Sequence, residues 1–166
     1  MFEVVYYSMC GNTKKVAEAI AAELGVKAEN VKAKRELDKD SFVFLGSGCY
    51  ASKPGGKLRE FIARNDFKGR QMALFGTSGS GEGAEVKAME ELLKPTGAVI
   101  RGSFHCQGRS FFLFYRGHPS DEELANAREF ANEMKQSCSK REEKKEMGTK
   151  GRKNVKKPKQ PKAKKK

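Results

Sequence analysis

Ser8-Met9-Cys10-Gly11-Asn12-Thr13 is a small, polar, glycine-bearing run between a short apolar segment and an amphipathic one. Backbone N–H groups at a helix start converge on an anion, and the helix dipole adds to the attraction. Ser8, Asn12 and Thr13 supply further donors, and Lys14 and Lys15 follow directly. No Lys or Arg lies inside the run, so the chemistry it suits is a monophosphate held by neutral donors against backbone. Two runs of similar character follow apolar stretches: Gly46-Ser47-Gly48-Cys49-Tyr50-Ala51 and Thr77-Ser78-Gly79-Ser80-Gly81.

Better-known phosphate loops do not account for these runs. The only Gly-Lys pair, Gly56-Lys57, is followed by Leu58, and Ala51 stands where a Walker A loop needs its first glycine. Gly79-x-Gly81-x-x-Ala84 imitates a dinucleotide fingerprint, but Arg101 stands about 20 residues on, where an acid should hold the ribose. A receiver domain would want acids where the first and third strands end in Ser8 and Gly46.

The elements around these loops alternate. Phe2–Tyr7 suits a strand buried on both faces. Val16, Ile20 and Leu24 recur at helical spacing before a Gly25 stop. Residues 26–35 are polar and hold at most a short edge strand. Phe42–Leu45 reads as a strand ending at Gly46, and Pro54-Gly55-Gly56 break the chain before a helix carrying Leu58, Phe61 and Ile62. A strand from Met72 to Phe75, ending in Thr77, leads through the Gly/Ser loop into a helix with Val86, Met89 and Leu93. Residues 98–106 read as another strand, which Phe111–Tyr115 extends or follows with a second piece. Ser120 and Glu123 form a capping box ahead of Leu124, Ala127, Ala131 and Met134. Alternation of this kind calls for a mostly parallel sheet with helices on both faces, an α/β fold.

The formal charge is +13, yet residues 140–166 hold fourteen Lys/Arg against three Glu, so residues 1–139 are close to neutral. The organisation expected is a folded domain over residues 1–138 and a Lys-rich disordered tail over 139–166, too poor in apolar residues to offset its ordering entropy. The tail's charge suits a polyanion, whether nucleic acid or an anionic surface. No apolar stretch approaches the roughly 18 residues of a membrane span. The first residues have no basic leader, so a cytoplasmic protein with free thiols is expected. The four cysteines form no CxxC pair and no zinc spacing. Cys10 and Cys49 read foremost as small residues in tight loops, with a reactive Cys10 as the alternative. His105 and His118 read as structural.

Ser8-x-x-Gly11-Asn12-Thr13 resembles the FMN phosphate loop of flavodoxins, whose usual form is [ST]-x-[ST]-G-x-T. Phe44 to Tyr50 resembles their second flavin loop and Thr77 to Gly81 their third, in the same order and spacing across residues 2–136. The resemblance implies a doubly wound, five-stranded parallel sheet in the order 2-1-3-4-5, which is the order of flavodoxins themselves. It implies FMN as cofactor, with the phosphate on Ser8, Met9, Cys10, Gly11, Asn12 and Thr13. It further implies that Ser47, Gly48, Cys49, Tyr50 and Ala51 pack on the isoalloxazine, with Tyr50 stacking and a peptide of Gly48–Ala51 turning its carbonyl towards N5. Thr77, Ser78, Gly79, Ser80 and Gly81 would border the ring, with Gln107 and Gly108 close by.

The function implied is electron transfer between redox proteins, by a monomer without catalytic residues of its own. Two departures from the family pattern matter. The third loop lacks the aromatic that covers the second ring face in many flavodoxins, which keeps an FMN-dependent NAD(P)H oxidoreductase of the quinone-reductase type as the alternative. The domain is near neutral where many flavodoxins are acidic, so a very low potential does not carry over. A nucleic-acid-tethered module dominated by the basic tail is a second alternative.

Overall fold

The computed structural model describes residues 1–34, 36–108 and 117–150, with side chains described as far as residue 140. Phe2–Tyr7 forms β1, and every residue after Phe2 is buried. Burial on both faces is what a central parallel strand requires. β1 lies between β2 (Ala28–Asn30) and β3 (Phe42–Tyr50), parallel to both. Lys53–Pro54 forms β4, a two-residue strand turned back antiparallel on Cys49 and Tyr50. β3 pairs in parallel with β5 (Gln71–Ser78), and β5 with β6 (Val99–Gln107). The order β2-β1-β3-β5-β6 is the expected doubly wound 2-1-3-4-5 arrangement once the small β4 is set aside.

α1 (Asn12–Leu24) follows β1, α2 (Gly56–Arg64) precedes β5, and α3 (Ala84–Leu93) precedes β6. β2 lies on one side of β1 and the remaining parallel strands on the other. Right-handed crossovers therefore put α1 on the sheet face opposite α2 and α3. α1 stops at Gly25, whose φ of 70° lets its N–H reach the Ala21 and Ala22 carbonyls. Leu58, Phe61 and Ile62 of α2 and Val86, Met89 and Leu93 of α3 close one core over Val5, Val43, Leu45, Met72 and Leu74. Each such side chain contributes about 1.5–3 kcal/mol relative to exposure. On the other face Phe130 meets Phe44 edge-on at 6.0 Å and Phe104 at 5.8 Å.

Phe130 belongs to α4 (Asp121–Lys150), whose start is the expected capping box: Glu123 N–H donates to Ser120 Oγ, and Ser120 N–H to Glu123 Oε2. α4 runs on to Lys150, beyond Ser139 where the apolar periodicity ends. Lys, Arg, Glu and Met in that stretch favour helix by intrinsic propensity. Met1–Lys135 makes one compact unit, and the described residues from Gln136 to Lys150 fall outside it. The tail expected to be disordered over residues 139–166 is helical as far as Lys150; residues 151–166 and the Phe111–Tyr115 strand lie outside the described residues.

At the amino end of the sheet, buried Glu3 pairs with Lys34 at 2.7 Å and accepts from Asp38 N–H and the Ser41 hydroxyl. Burial pushes the Glu3 carboxyl up, but the Lys34, Ser41 and Asp38 bonds outweigh it and leave it below the ordinary range. The carboxyl end carries no comparable charge network among the described residues. There β3 approaches β5 so closely that the Phe75 ring fills the place of a Cβ at Gly46. Gly46→Ala is therefore expected to destabilise the domain by about 1–3 kcal/mol through overpacking, read as a lower urea midpoint at unchanged m-value.

Candidate functional site

Four loops converge at the carboxyl ends of β1, β3, β5 and β6. Strand order reverses between β1 and β3, and that reversal opens the crevice where α/β sheets take ligands. Register keeps the loops level: Tyr7 stands opposite Ser47, Gly48 opposite Thr77, and Ser78 opposite Gln107. The three runs singled out in the sequence therefore end on one rim, with Gln107 and Gly108 as a fourth side.

The first loop turns from β1 into α1 through Gly11 at φ 85°, ψ −8°, a left-handed conformation that suits glycine. Gly11 N–H donates to Ser8 Oγ at 3.0 Å, which tightens the turn. Nothing lies within 4 Å of the position a Gly11 Cβ would take, so the loop backbone is open there. No side chain caps α1 and its first turn holds no acid. A helix start of this kind is free to take an anion through its N–H groups. Met9 and Cys10 are exposed on the loop. Thr13 is buried, and its hydroxyl shares a 2.8 Å hydrogen bond with that of Thr77, tying the first loop to the third.

The second loop is a correction to the sequence expectation. β3 does not end at Gly46; it continues through Tyr50 because β4 supplies a partner for Cys49 and Tyr50. The loop proper is the two-residue turn Ala51-Ser52, with φ of 53° and 60°. Consecutive positive φ values make a hairpin turn of the I′ kind, normally built from Asn and Gly. Ala and Ser hold it under strain. Ser47 is fully buried, with its hydroxyl donating to the Gly48 carbonyl and accepting from Gly55 N–H. It braces the hairpin from inside.

Tyr50 is half-buried, its ring 5.8 Å from that of Tyr7 at 60° and its hydroxyl accepting from Met9 N–H at 2.9 Å. It lies across the first loop. Burial pushes its hydroxyl up, with the Met9 N–H acting the other way. Gly48 stays small because a Cβ there would crowd the Tyr50 hydroxyl and Thr13 Oγ1.

In the third loop Thr77 and Ser78 are buried, and Ser78 Oγ accepts from Gly81 N–H at 3.0 Å. Gly79 is half-buried and Ser80 exposed. Gln107 Nε2 donates to the Gly79 carbonyl at 2.8 Å and Gly108 N–H to that of Ser78 at 2.8 Å. Asn12 and Thr77 both border the position of a Gly108 Cβ. Gln107 N–H donates in turn to Glu123 Oε1, which fixes the end of β6 to the capping box of α4. The rim is thus braced by neutral hydrogen bonds, with the Glu123 carboxylate behind Gln107 as the one charged brace described. Small residues, an uncapped helix start and one half-buried aromatic fit a flavin mononucleotide's phosphate and ring.

The cysteines divide by burial. Burial pushes the Cys106 thiol up to about 12, and burial with the nearby Glu85 carboxyl also raises Cys49. Neither is a ready thiolate at neutral pH. His118 bonds Glu123 Oε2 at 2.7 Å, a structural placement. Among the described residues no group of His, Cys, Asp and Glu is arranged to hold a metal, and no helix is long and apolar enough to cross a membrane. Sequence reasoning missed Glu85, which is fully buried just under the rim. Its signal was present: Glu85, Met89 and Leu93 lie at i, i+4 and i+8, on the inward face of α3.

A flavodoxin-domain family model matches residues 3–108. The flavodoxin-like domain-containing protein BilS of Clostridioides difficile is 30% identical over 114 residues, 64% of this chain and 65% of BilS. The chain thus matches just under two thirds of that relative's length. The flavodoxin of Megasphaera elsdenii is 27% identical over 117 residues, 62% of this chain and 83% of its own. The solution structure of that flavodoxin in its two-electron reduced state superposes with a TM-score of 0.55 over 77% of this chain and 98% of its own. Oxidised flavodoxin 1 from Bacillus cereus, 21% identical, shares the fold with a TM-score of 0.63 over 80% of this chain and 95% of its own.

The turn strain has a measurable consequence. Ala51→Gly and Ser52→Gly are each expected to stabilise the protein without ligand by about 1 kcal/mol, the cost of a left-handed non-glycine residue. Chemical denaturation of the two variants checks it.

Proposed function

We propose that this chain, which belongs to the flavodoxin family, binds FMN across the rim and carries electrons between redox proteins. The observation that carries the reading is the pair of cross-loop hydrogen bonds, Thr13–Thr77 and Met9–Tyr50. They join three loops far apart in the chain into one mouth at the strand-order reversal. Bound FMN supplies one- and two-electron chemistry; the protein binds, orients and excludes water. In this reading the N–H groups of residues 9–13, with the Ser8, Asn12 and Thr13 side chains, hold the phosphate. Tyr50 releases Met9 N–H to that phosphate and lays its ring against the isoalloxazine. Thr77, Ser78, Gly79, Ser80 and Gly81 border the ring. The strained Tyr50–Ser52 turn offers a carbonyl to the flavin's N5 edge without any protein acid.

The aromatic-free third loop favours one second reading, an NAD(P)H oxidoreductase that admits a hydride donor to the uncovered face. Stopped-flow mixing with NADPH separates the two: a carrier is reduced barely at all, an oxidoreductase quickly. The Lys-rich residues 140–166 fit a polyanion. Salt-dependent binding of RNA, DNA or anionic vesicles that vanishes on removing residues 140–166 would support that assignment.

FMN added to the purified protein is expected to bind with quenched fluorescence. Unquenched FMN over a folded protein would overturn the reading. Tyr50→Ala should weaken FMN binding about ten- to a hundredfold, the effect of losing about 1–3 kcal/mol of aromatic stacking. Tyr50→Phe should stay within about threefold of the wild type, because the ring and not the hydroxyl makes that contact.

A further inference from the structure

Glu85 is the second residue of α3, where an acid normally lies in solvent and complements the helix dipole. Here it is 0% exposed. Among the described residues neither carboxyl oxygen makes a well-formed hydrogen bond; only its own N–H and the Cys49 thiol come near enough to act on it. Oε1 occupies the space a Cβ at Gly76 would need, so the carboxyl lies directly on that peptide. Gly76 stands between Ser47 and His105 in the sheet, one residue below the level of Gly48 and Thr77. The carboxyl is therefore one layer beneath the rim.

Its neighbours are ionisable side chains. Cys49 of β3 and His105 of β6 both act on the Glu85 charge, and Glu85 acts in turn on Cys106 of β6. β5 has no titratable side chain, and those of β4, α2 and the 3-10 turn after α3 (Lys94–Thr96) are exposed to solvent. Burial pushes the Glu85 carboxyl up; its own N–H, His105 and Cys49 pull it down and do not overcome the burial. A methionine or leucine would fill the place without an orphaned polar atom. A buried acid between a rim cysteine and an exposed histidine is a place to hold a proton.

We propose that Glu85 is a proton-binding site beneath the rim, reached from solvent past His105 and facing the cofactor side at Cys49, whose occupancy is coupled to the charge of the bound cofactor. The proposal rests on the reading that the rim holds FMN. Electrons added above Glu85 raise its proton affinity, and by reciprocity an ionised Glu85 weakens the hold on the reduced cofactor by the same factor. When the carboxylate is ionised, the one electron given up by the donor protein would reduce the bound flavin, and one proton released by solvent would form the O–H bond at the Glu85 oxygen. Cys49 stays a thiol throughout.

The test uses the full chain with Glu85→Gln, a neutral isostere of the protonated side chain, and Glu85→Met. Without FMN, a carboxyl raised above its unfolded value stabilises fully at low pH, and that contribution is lost as pH rises through the folded value. From pH 5 to 9 the wild type should therefore lose stability relative to both variants, and its infrared carboxylic-acid band, absent from Glu85→Gln, should fade over the same range. Parallel stability curves, or neither variant folding at pH 6, would overturn the proposal. With FMN, the ratio of Kd for reduced over oxidised FMN should rise across that range about tenfold more in the wild type than in Glu85→Gln, as one pK unit of coupling requires. A constant offset between the two would sink the coupling. If no FMN binds, the functional reading fails, and the FMN-free titration still decides whether Glu85 holds the proton.

Discussion

Parallel pairing of β1, β3, β5 and β6 in register is the constraint on which the rest of the structure depends. It stands Tyr7 beside Ser47, Gly48 beside Thr77 and Ser78 beside Gln107. A slip of one residue in any pair would turn that strand's side chains to the opposite face. Val5, Leu45 and Leu74 would leave the core under α2 and α3, and Thr77 would lose Thr13. Core packing and rim geometry are thus fixed by the same ladder.

The rim is assembled almost without charge. Thr13 and Thr77 share a hydrogen bond, Ser78 braces Gly81, Gln107 holds Gly79, and Tyr50 rests on Met9 N–H. Neutral bonds stiffen the backbone while leaving the α1 dipole unopposed, which suits an anionic ligand better than a built-in carboxylate would. The charge network lies at the other end of the sheet, where Glu3, Lys34 and Glu29 pair. Two acids lie at the carboxyl end: Glu123, bonded to Gln107 N–H and His118, and Glu85, kept beneath the rim at the cost of its hydration. Strain is concentrated nearby in Ala51 and Ser52, and such strain persists where the surroundings over-determine it. The β4 pairing and the Ser47 clasp on Gly55 do so here.

Much of this was legible in the residues. Runs of buried apolar residues marked β1, β3 and β5, and helical spacing marked the faces of α1, α2 and α3. The capping box at Ser120 and Glu123 was a local signal and formed as read. Such features depend on residues a few positions apart, and a single chain displays those directly. The small, glycine-bearing loops after three strands pointed to a phosphate-bearing ligand because their composition is itself the mechanism.

What the sequence alone determined is the order of the elements, the inward faces of the helices and the three loops able to carry chemistry. Only the tertiary structure decided that β3 runs on to Tyr50, since the partner that extends it, Lys53–Pro54, is too short and too polar to read as a strand. Only it decided that Tyr50 lies on Met9 and that Thr13 meets Thr77, 64 residues away. Glu85 is the sharpest case: its type reads as a surface acid at a helix start, although its spacing with Met89 and Leu93 puts it on the inward face. The packing of α3 on β3, β5 and β6 buries it, because burial depends on what the fold brings from elsewhere in the chain.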